Sequence, residues 1–334
     1  MKFTDLRFVP LGGVGEIGVN CYLYGQQGRW AMVDLGLGFP DDRLPGVDIV
    51  LPDLRFIEEQ RAFLDGLILT HAHEDHLGAV PYLWPRLGCP IWCTPFTAAV
   101  LRAKLGETDF SRDVTIHVVE PGREFEVAGL RCRFVHVTHS IPDSNALVID
   151  TEFGRVLHTG DWKLDPAPLV GARTDVDALE LVGKEGVLAM LCDSTNVLTP
   201  GTSGSEAEVR DSLTELIGRQ RHRVVLTSFS SNIARLETAM LAARATGREL
   251  FVVGRSMRRM IEAFLAGDVR EACRLNQRLL PALTGVFATQ GCMMVKAALG
   301  ARGIDVGGCR APMGAPSAEA VAAYVETLAG YQDL

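Results

Sequence analysis

Short apolar runs separated by glycines dominate the first half of the chain. The runs at 7–11, 20–24 and 30–34 are typical of β-strands, and their close spacing predicts an antiparallel meander. Similar runs predict further strands at 66–70, 131–137, 146–150 and 155–158. Longer segments with helical spacing of apolar residues predict helices at 77–87 and 94–105.

From about residue 200 the pattern changes to alternating helices and strands. A helix predicted at 205–218 leads to a strand at 223–227, and a helix at 232–246 leads to a strand at 249–253. Such alternation is typical of a parallel βαβ unit. Beyond about residue 259 the pattern favours helices, which we predict over 257–280, 290–301 and 317–329.

The composition is that of a cytoplasmic enzyme. The length of 334 residues suggests about two domains, and 47% hydrophobic residues is ample for a core. No apolar stretch reaches the ~20 residues that a membrane span requires, and residues 1–7 do not resemble a signal peptide. The eight cysteines form no C-x-x-C pair, which indicates reduced thiols. We therefore expect a cytoplasmic location and no membrane partner.

The most informative segment is the sequence His-Ala-His-Glu-Asp-His at residues 71–76. It lies between a predicted strand and a predicted helix. His71 and His73 are two positions apart and can point the same way from extended chain, whereas Asp75 and His76 can face a second ion. Imidazoles suit zinc, and carboxylates suit the harder side of a two-metal site. A polar surface turn is disfavoured, because the whole chain has only eight histidines.

Two later strand ends add candidate ligands. His139 follows the strand predicted at 131–137, and Asp161 follows the one at 155–158, where its carboxylate could bridge two ions. Asp34 is expected to support the histidine turn by accepting an imidazole N–H, and His158 is expected to orient a ligand. The remaining histidines of this part of the chain are expected to be structural or solvated: His117, His136 and His222.

The charge of the chain is compatible with an anionic substrate. A net charge of −8 argues against a generally basic nucleic-acid-binding surface. A cleft that contains two divalent cations can nevertheless be locally positive within an acidic protein.

A glycine motif at 13–18 matches G-x-G-x-x-G, a pattern found in dinucleotide-binding sites. A dinucleotide site requires a helix after the glycines, because the N-terminus of that helix binds the pyrophosphate. Here the run at 20–24 predicts another strand. We therefore expect no nucleotide cofactor and instead a tight turn close to the metal site.

The histidine turn, His139 and Asp161 together resemble the metallo-β-lactamase superfamily. Longer strings narrow the resemblance to the ribonuclease J family, the RNA-degrading β-CASP branch, over residues 1 to about 258. The strings are PLGGVGEIG at 10–18, GVDIVLPD at 46–53, THSIPDS at 138–144, HTGDWK at 158–163, DSTN at 193–196, FSSN at 229–232 and GRSM at 254–257.

The resemblance implies a fold, a site and a reaction. The fold would be an α/β metallo-β-lactamase αββα sandwich (1–197), with a partial β-CASP α/β insertion (198–258) and a helical C-terminal tail (259–334). Two zinc or manganese ions would be held by two ligand sets that share one residue: His71, His73, His139 and Asp161; and Asp75, His76 and Asp161. The catalytic residues would be Asp75, His76 and Asp161, and the RNA-binding residues would be Asp193, Ser230, Ser231 and Asn232. A hydroxide activated by the ions would attack the RNA phosphodiester.

The chain also departs from the family pattern. No histidine follows His222, so the family's last histidine ligand and its phosphate-binding loop are missing from the sequence. Residues from about 258 onward instead resemble the C-terminal helices of the dihydrodipicolinate synthase family, through the strings at 266–268, 278–281 and 289–299. We therefore expect a fusion product with weakened nuclease activity that tends to form homo-oligomers.

Two alternative functions remain open from the sequence. One is a non-catalytic metal-binding or RNA-binding fragment, and the other is a zinc hydrolase of small esters, which uses the same ligands in the superfamily. The strings at 193–196, 229–232 and 254–257 favour RNA as the substrate.

Overall fold

The structure is a computed structural model that describes residues 4–40, 47–254, 257–258, 291–304, 307 and 315–329. It divides into two compact units, residues 1–250 and 251–334. The first unit contains both β-sheets and every residue that the sequence predicts to be a metal ligand.

The first sheet has six strands that are neighbours in chain order. They are β1 (Arg7–Gly12), β2 (Cys21–Gln26), β3 (Arg29–Val33), β4 (Leu64–Ile68), β5 (Ile91–Cys93) and β6 (Ile116–Val118). Strands β1 to β3 are antiparallel, which confirms the predicted meander. Strands β3 to β6 are parallel, so their C-terminal ends meet at one edge of the sheet.

The second sheet has five strands in the order β11-β10-β9-β8-β7. They are β7 (Glu124–Val127), β8 (Leu130–His136), β9 (Asn145–Thr151), β10 (Gly154–His158) and β11 (Ala189–Leu191). All pairs are antiparallel except β10 with β11. The two sheets share one hydrophobic core, in which Val33 and Ile68 of the first pack with Phe134 and Leu147 of the second. The predicted sandwich is confirmed.

Helices connect the strands of the first unit. They are α1 (Arg55–Glu58), α2 (Glu74–Leu77), α3 (Val80–Leu87), α4 (Pro95–Leu105), α5 (Val176–Glu185), α6 (Glu206–Gly218) and α7 (Ile233–Ala245), with a short 3-10 helix at Arg61–Phe63. The predicted helices at 94–105, 205–218 and 232–246 are confirmed. Helix α6 begins where the sequence indicates, because Ser205 and Glu208 form a capping box.

The second unit contains α8 (Gly291–Ala301) and α9 (Ala318–Ala329), which confirms a helical C-terminal region. The helix predicted at 257–280 lies almost entirely outside the described residues. Among the residues that the structure describes, no helix is both long and apolar enough to cross a bilayer.

The strands predicted at 223–227 and 249–253 are wrong. Both segments belong to the described residues, and neither is a strand. An apolar run becomes a strand only when a neighbour satisfies its backbone hydrogen bonds and covers its side chains. Here Val225 is 90% exposed and Phe251 is 79% exposed. Among the residues that the structure describes, no neighbouring segment therefore buries these side chains as a βαβ unit would.

Candidate metal centre

The histidine turn is held in place by backbone hydrogen bonds from two other segments. Asn20 donates its N–H to the carbonyl of Asp75 (3.0 Å), and Leu35 donates to the carbonyl of His76 (2.7 Å). The approach is so close that a Cβ atom at Gly36 would overlap the carbonyl oxygen of Asp75. The turn is therefore fixed by main-chain packing.

The first set of converging side chains, here called the histidine group, comprises His71, His73, His139 and Asp161. His73 Nδ1 lies 3.2 Å from His71 Nε2 and 3.1 Å from His139 Nε2. His139 Nε2 lies 3.6 Å from Asp161 Oδ2. A tetrahedral site with metal–ligand distances of about 2.0–2.2 Å places neighbouring ligand atoms about 3.3–3.6 Å apart. These spacings fit one ion.

The second set, here called the carboxylate group, comprises Asp75, His76 and Asp161. His76 Nε2 lies 3.2 Å from Asp161 Oδ1 and 3.6 Å from Asp75 Oδ2. Asp161 thus turns one oxygen toward each group. The structure brings all six predicted ligands together, and the donor atoms of each group lie within 4.8 Å of one another.

The electrostatics of the two groups differ. Burial lowers the pKa of His71 well below its usual value, lowers that of His73 to about 3, and lowers that of His139 as well. These imidazoles are neutral at pH 7, which is the form that binds a metal. For His76, burial also opposes protonation, but the carboxylates of Asp161, Asp75 and Asp34 outweigh it and raise the pKa.

The carboxylates complete the same picture. Burial alone would raise the pKa of Asp161, but the neighbouring His76, His71 and His139 outweigh burial and lower it far below its usual value. Burial raises the pKa of Asp75. Neutral imidazoles facing an ionised carboxylate at ligand spacing form a donor set that fits divalent cations.

Asp34 lies behind the carboxylate group. Its Oδ2 accepts from His76 Nδ1 at 2.7 Å, and this hydrogen bond directs Nε2 of the ring toward the centre. The same carboxylate accepts from the N–H and hydroxyl of Thr70 at 2.8 and 2.9 Å. The hydroxyl of Thr70 also lies 3.0 Å from His71 Nδ1. Sequence reasoning missed Thr70, although its position directly before His71 was a usable signal.

His158 is buried and lies in the wall of the site. Its Nδ1 lies 3.0 Å from the hydroxyl of Tyr24, and its ring packs edge-on against Tyr22. Burial lowers the pKa of His158 to about 4. The contacts shown are with tyrosines of β2, and the expected role of His158 in orienting a ligand stays a prediction.

The predicted RNA-binding residues fall into two places. Asp193 lies beside the carboxylate group, where its N–H donates to Thr159 Oγ1 at 3.0 Å. The segment before α7 lies beside the histidine group, since the backbone of Ser231 hydrogen-bonds His73 and Ala234 donates to the carbonyl of Ser140.

The side chains in that segment have different environments. Asn232 Oδ1 accepts from the N–H of Arg235 at 2.9 Å and so caps α7. Ser231 is buried, and Ser230 is half-buried.

A cleft of about 620 Å³ opens onto the carboxylate group. The glycine turn at 13–18 forms one wall, and residues 191–195 form another. Asp75, His76 and Asp161 line this cleft, and the three histidines of the histidine group do not. Strand β2 follows the glycine turn, as the sequence predicted. The carboxylate group is therefore the side of the centre that a substrate in this cleft would meet.

A network of charged side chains anchors the loop after Asp161. Lys163 Nζ lies 3.0 Å from Asp165 and 3.4 Å from Glu206, and Arg235 lies 3.3 Å from Glu206. This network ties the loop to α6 and α7. The sequence alone gave no signal for it, because Glu206 and Arg235 are far along the chain from Lys163 and Asp165.

Comparison with known proteins agrees with this geometry. The Metallo-beta-lactamase superfamily profile matches residues 14–227, and the profile of the Ribonuclease J beta-CASP domain matches residues 221–269. Ribonuclease J of Sinorhizobium meliloti is 47% identical over 269 residues, which are 79% of this chain and 47% of that protein. Ribonuclease J of Corynebacterium glutamicum is 46% identical over 260 residues, which are 78% of this chain and 36% of that protein.

The chain spans between about a third and a half of the length of these relatives. A solved structure, a protein of unknown function from Enterococcus faecalis V583, matches with a TM-score of 0.54 at 18% identity, over 79% of this chain and 69% of that one. This likeness concerns the fold. The predicted resemblance to ribonuclease J is confirmed, and the chain belongs to the metallo-β-lactamase superfamily.

Proposed function

We propose that this chain is a metal-dependent ribonuclease that hydrolyses RNA phosphodiester bonds. The observation that carries the proposal is the pair of donor groups that share Asp161, with the carboxylate group open to a cleft. Similarity to ribonuclease J supports RNA as the substrate.

The chain's own residues would divide the work of holding two ions. The histidine group would hold zinc, because three neutral imidazoles and one carboxylate are a donor set that zinc prefers. The carboxylate group would hold the second ion, zinc or manganese. Bound ions would supply Lewis acidity, which would lower the pKa of a bound water toward neutral pH and offset negative charge on phosphate oxygens. Asp34 would fix the ring of His76 toward the centre.

Asp75, Asp161 and His76 would act at the reacting atoms. Asp75 is the most exposed of the three, with 34% of its side chain accessible, and it lines the cleft. It can therefore orient the attacking water and accept its proton. Asp161 lies between the two groups and would help to position the attacking water next to the scissile phosphate.

The cleft itself requires cations for an anionic substrate. Its wall includes Glu16 and Asp193 in addition to Asp75 and Asp161. Four carboxylates would repel RNA unless bound cations reversed the local charge. Binding of RNA and its hydrolysis should therefore both depend on metal.

Further features of the proposal concern location and organisation. The buried thiols of Cys21, Cys89 and Cys132, whose pKa values are raised by burial, suit a reducing cytoplasm. The domain division at 197 and 258 and the foreign origin of the tail stay predictions.

A non-catalytic metal-binding fragment is the second candidate. One observation favours it. The carboxylate group offers three residues of the usual ligand types, Asp75, His76 and Asp161, and Asp161 also belongs to the histidine group. A second ion held by so few ligands would bind weakly, and hydrolysis would then be slow.

Metal content and cleavage of a 5′-labelled single-stranded RNA, measured on the same preparation, test the proposal. We expect between one and two equivalents of transition metal, cleavage that a chelator abolishes, and a loss of about 10²–10³-fold in rate for Asp75→Asn. Asp177→Asn, an exposed carboxylate on α5, is the matched control and should cleave normally. Metal binding without any RNA cleavage would favour the non-catalytic fragment.

A further inference from the structure

Asn20 lies at the carboxylate group, although nothing in the sequence marked it as a ligand. Its Nδ2 is 3.0 Å from His76 Nε2 and 3.3 Å from Asp75 Oδ2. These two distances resemble those that His76 makes to Asp161 and Asp75, 3.2 and 3.6 Å. The amide end of Asn20 therefore lies at ligand spacing from two members of the carboxylate group.

The spacing alone is compatible with two roles for this amide. With its NH₂ toward Asp75, Asn20 donates a hydrogen bond to the carboxylate, which suits a centre without an ion. With its carbonyl oxygen in that place, it would offer a lone pair to a cation, since amide carbonyls bind hard divalent cations. A rotation of the terminal amide exchanges the two ends without moving the backbone, and this torsion is soft.

The hydroxyl of Tyr22 can satisfy the amide in both orientations. It lies 2.7 Å from Asn20 Oδ1 and 3.2 Å from the carbonyl of Gly13. In the first orientation the hydroxyl donates to Asn20. In the second it would donate to Gly13 and accept from the NH₂ of Asn20. Tyr22 can therefore accept a hydrogen bond from the rotated amide, because its own hydroxyl proton has another acceptor in the carbonyl of Gly13.

The backbone holds Asn20 firmly in this position. Its N–H donates to Asp75 at 3.0 Å, and its carbonyl accepts from Gly36 at 2.9 Å. The preceding residue, Val19, has a left-handed backbone with φ of 55°, which is a costly conformation for a β-branched residue. Local strain beside a tightly hydrogen-bonded residue is a feature of functional sites.

We propose that Asn20 binds the cation of the carboxylate group through its side-chain carbonyl oxygen, after rotation of the amide. This inference rests on the proposed function, because it requires that the carboxylate group holds an ion. The ion would then meet oxygens of Asp75, Asp161 and Asn20 and one nitrogen of His76. Such an oxygen-rich set suits a harder cation than the histidine group does.

Metal titration of the whole protein tests this proposal without any activity measurement. Metal-free protein is loaded with one equivalent of zinc and then titrated with Mn²⁺, with free Mn²⁺ followed by electron paramagnetic resonance. Asn20→Ala should weaken Mn²⁺ binding by about 10-fold or more. Asn20→Asp, which keeps an oxygen, should bind Mn²⁺ at least as tightly as the wild type. Tyr22→Phe should weaken it less than Asn20→Ala does.

The aspartate variant separates the two roles of the amide. If Asn20 acts only as a hydrogen-bond donor to Asp75, Asn20→Asp brings two carboxylates together with no donor and should weaken the site more than alanine does; that result would overturn the proposal. Ser194→Asp, which adds the same charge elsewhere in the cleft, is the control for charge. It should tighten Mn²⁺ binding less than Asn20→Asp does.

Other outcomes have distinct meanings. Unchanged Mn²⁺ affinity in Asn20→Ala, or wild-type protein that binds zinc but no Mn²⁺, would overturn the role of Asn20 alone. Failure of the wild type to bind zinc or Mn²⁺ would overturn the proposed function as well. Equal zinc affinity and equal circular dichroism across all variants show that each is folded.

Discussion

The histidine group and the carboxylate group begin on the same six-residue turn but lie in different surroundings. His71 is fully buried and His73 is 9% exposed, whereas Asp75 faces the cleft with a third of its side chain accessible. Burial lowers the pKa of His71, while surrounding carboxylates raise that of His76. The turn therefore contributes side chains to a buried, nitrogen-rich donor group and to an oxygen-rich donor group open to the cleft, and the two groups differ in both residue type and local environment.

Asp161 is the point at which the two groups cannot be separated. Asp161→Asn keeps the shape of the side chain but removes the charge that faces both His76 and His139. We expect loss of the second ion, weaker binding of the first, and a decrease in RNA cleavage of at least about 10³-fold. Elemental analysis and cleavage assays on one preparation measure this. Retention of both ions at wild-type affinity would show that Asp161 is not shared.

His73→Ala should instead affect the histidine group first. His73 is the central member, with its Nδ1 facing both His71 and His139. We expect loss of the tighter ion and a lower free energy of unfolding, by about 3 kcal/mol at free zinc of about 100 times Kd. Thermal unfolding with and without zinc measures it. The difference between variant and wild type should become smaller in chelator, and a difference of the same size there would indicate a packing role alone.

Asp34→Asn should act mainly on the carboxylate group. The amide can no longer offer two acceptor oxygens to His76 and Thr70, so the ring of His76 loses its fixed orientation. We expect affinity for the second ion to fall by about 10–100-fold, and affinity for the first to change less. Isothermal titration of metal-free protein resolves the two steps. Tyr24→Phe, which removes a buried hydroxyl that contacts His158, is the matched control.

Asp165→Asn should have the smallest effect, because it acts on the loop that carries Asp161. Burial raises the pKa of Asp165, but hydrogen bonds from the N–H of Glu206, the side chain of Ser205, the N–H of Ala167 and the side chain of Lys163 outweigh burial and lower the pKa to about 2. A depressed pKa stabilises the fold above the ordinary value near 3.8, and this stabilisation is lost as pH falls toward 2.

The variant therefore should lose about 2 kcal/mol of unfolding free energy at neutral pH and show a smaller loss as the pH falls through that range. Denaturant unfolding of wild type and variant at several pH values measures the difference. A difference that is independent of pH would contradict the assignment of Asp165. The metal affinities of the two groups should change less than in the variants above.

The sequence predicted the six candidate ligands from the residues themselves, whereas the sandwich followed from the resemblance to the family. Each candidate ligand follows an apolar run that predicts a strand, and ligands at strand ends can converge on one edge of the fold. The predicted strands at 223–227 and 249–253 are wrong because an apolar run indicates only a tendency to be buried. Strand formation depends in addition on a pairing partner elsewhere in the chain. Val225, at 90% exposure, shows the difference.

The supporting residues escaped prediction for a related reason. Asn20, Thr70 and Lys163 are ordinary polar residues whose roles depend on distances across the fold. Sequence spacing identifies groups on one segment, such as His71 and His73. It does not identify a contact such as that of Asn20 with His76, which joins residues 56 positions apart.

Gly36 shows that a ligand motif alone does not predict whether a metal site forms. Its missing side chain lets one backbone pass directly against the carbonyl of Asp75. A methyl group there would push the two segments apart, and the donor atoms would separate even though every ligand residue remained in the sequence. The His-Ala-His-Glu-Asp-His motif alone is thus insufficient to form the site. The geometry of the candidate metal centre therefore also depends on Gly36, a residue that offers no ligand atom and whose only contribution is that it has no side chain.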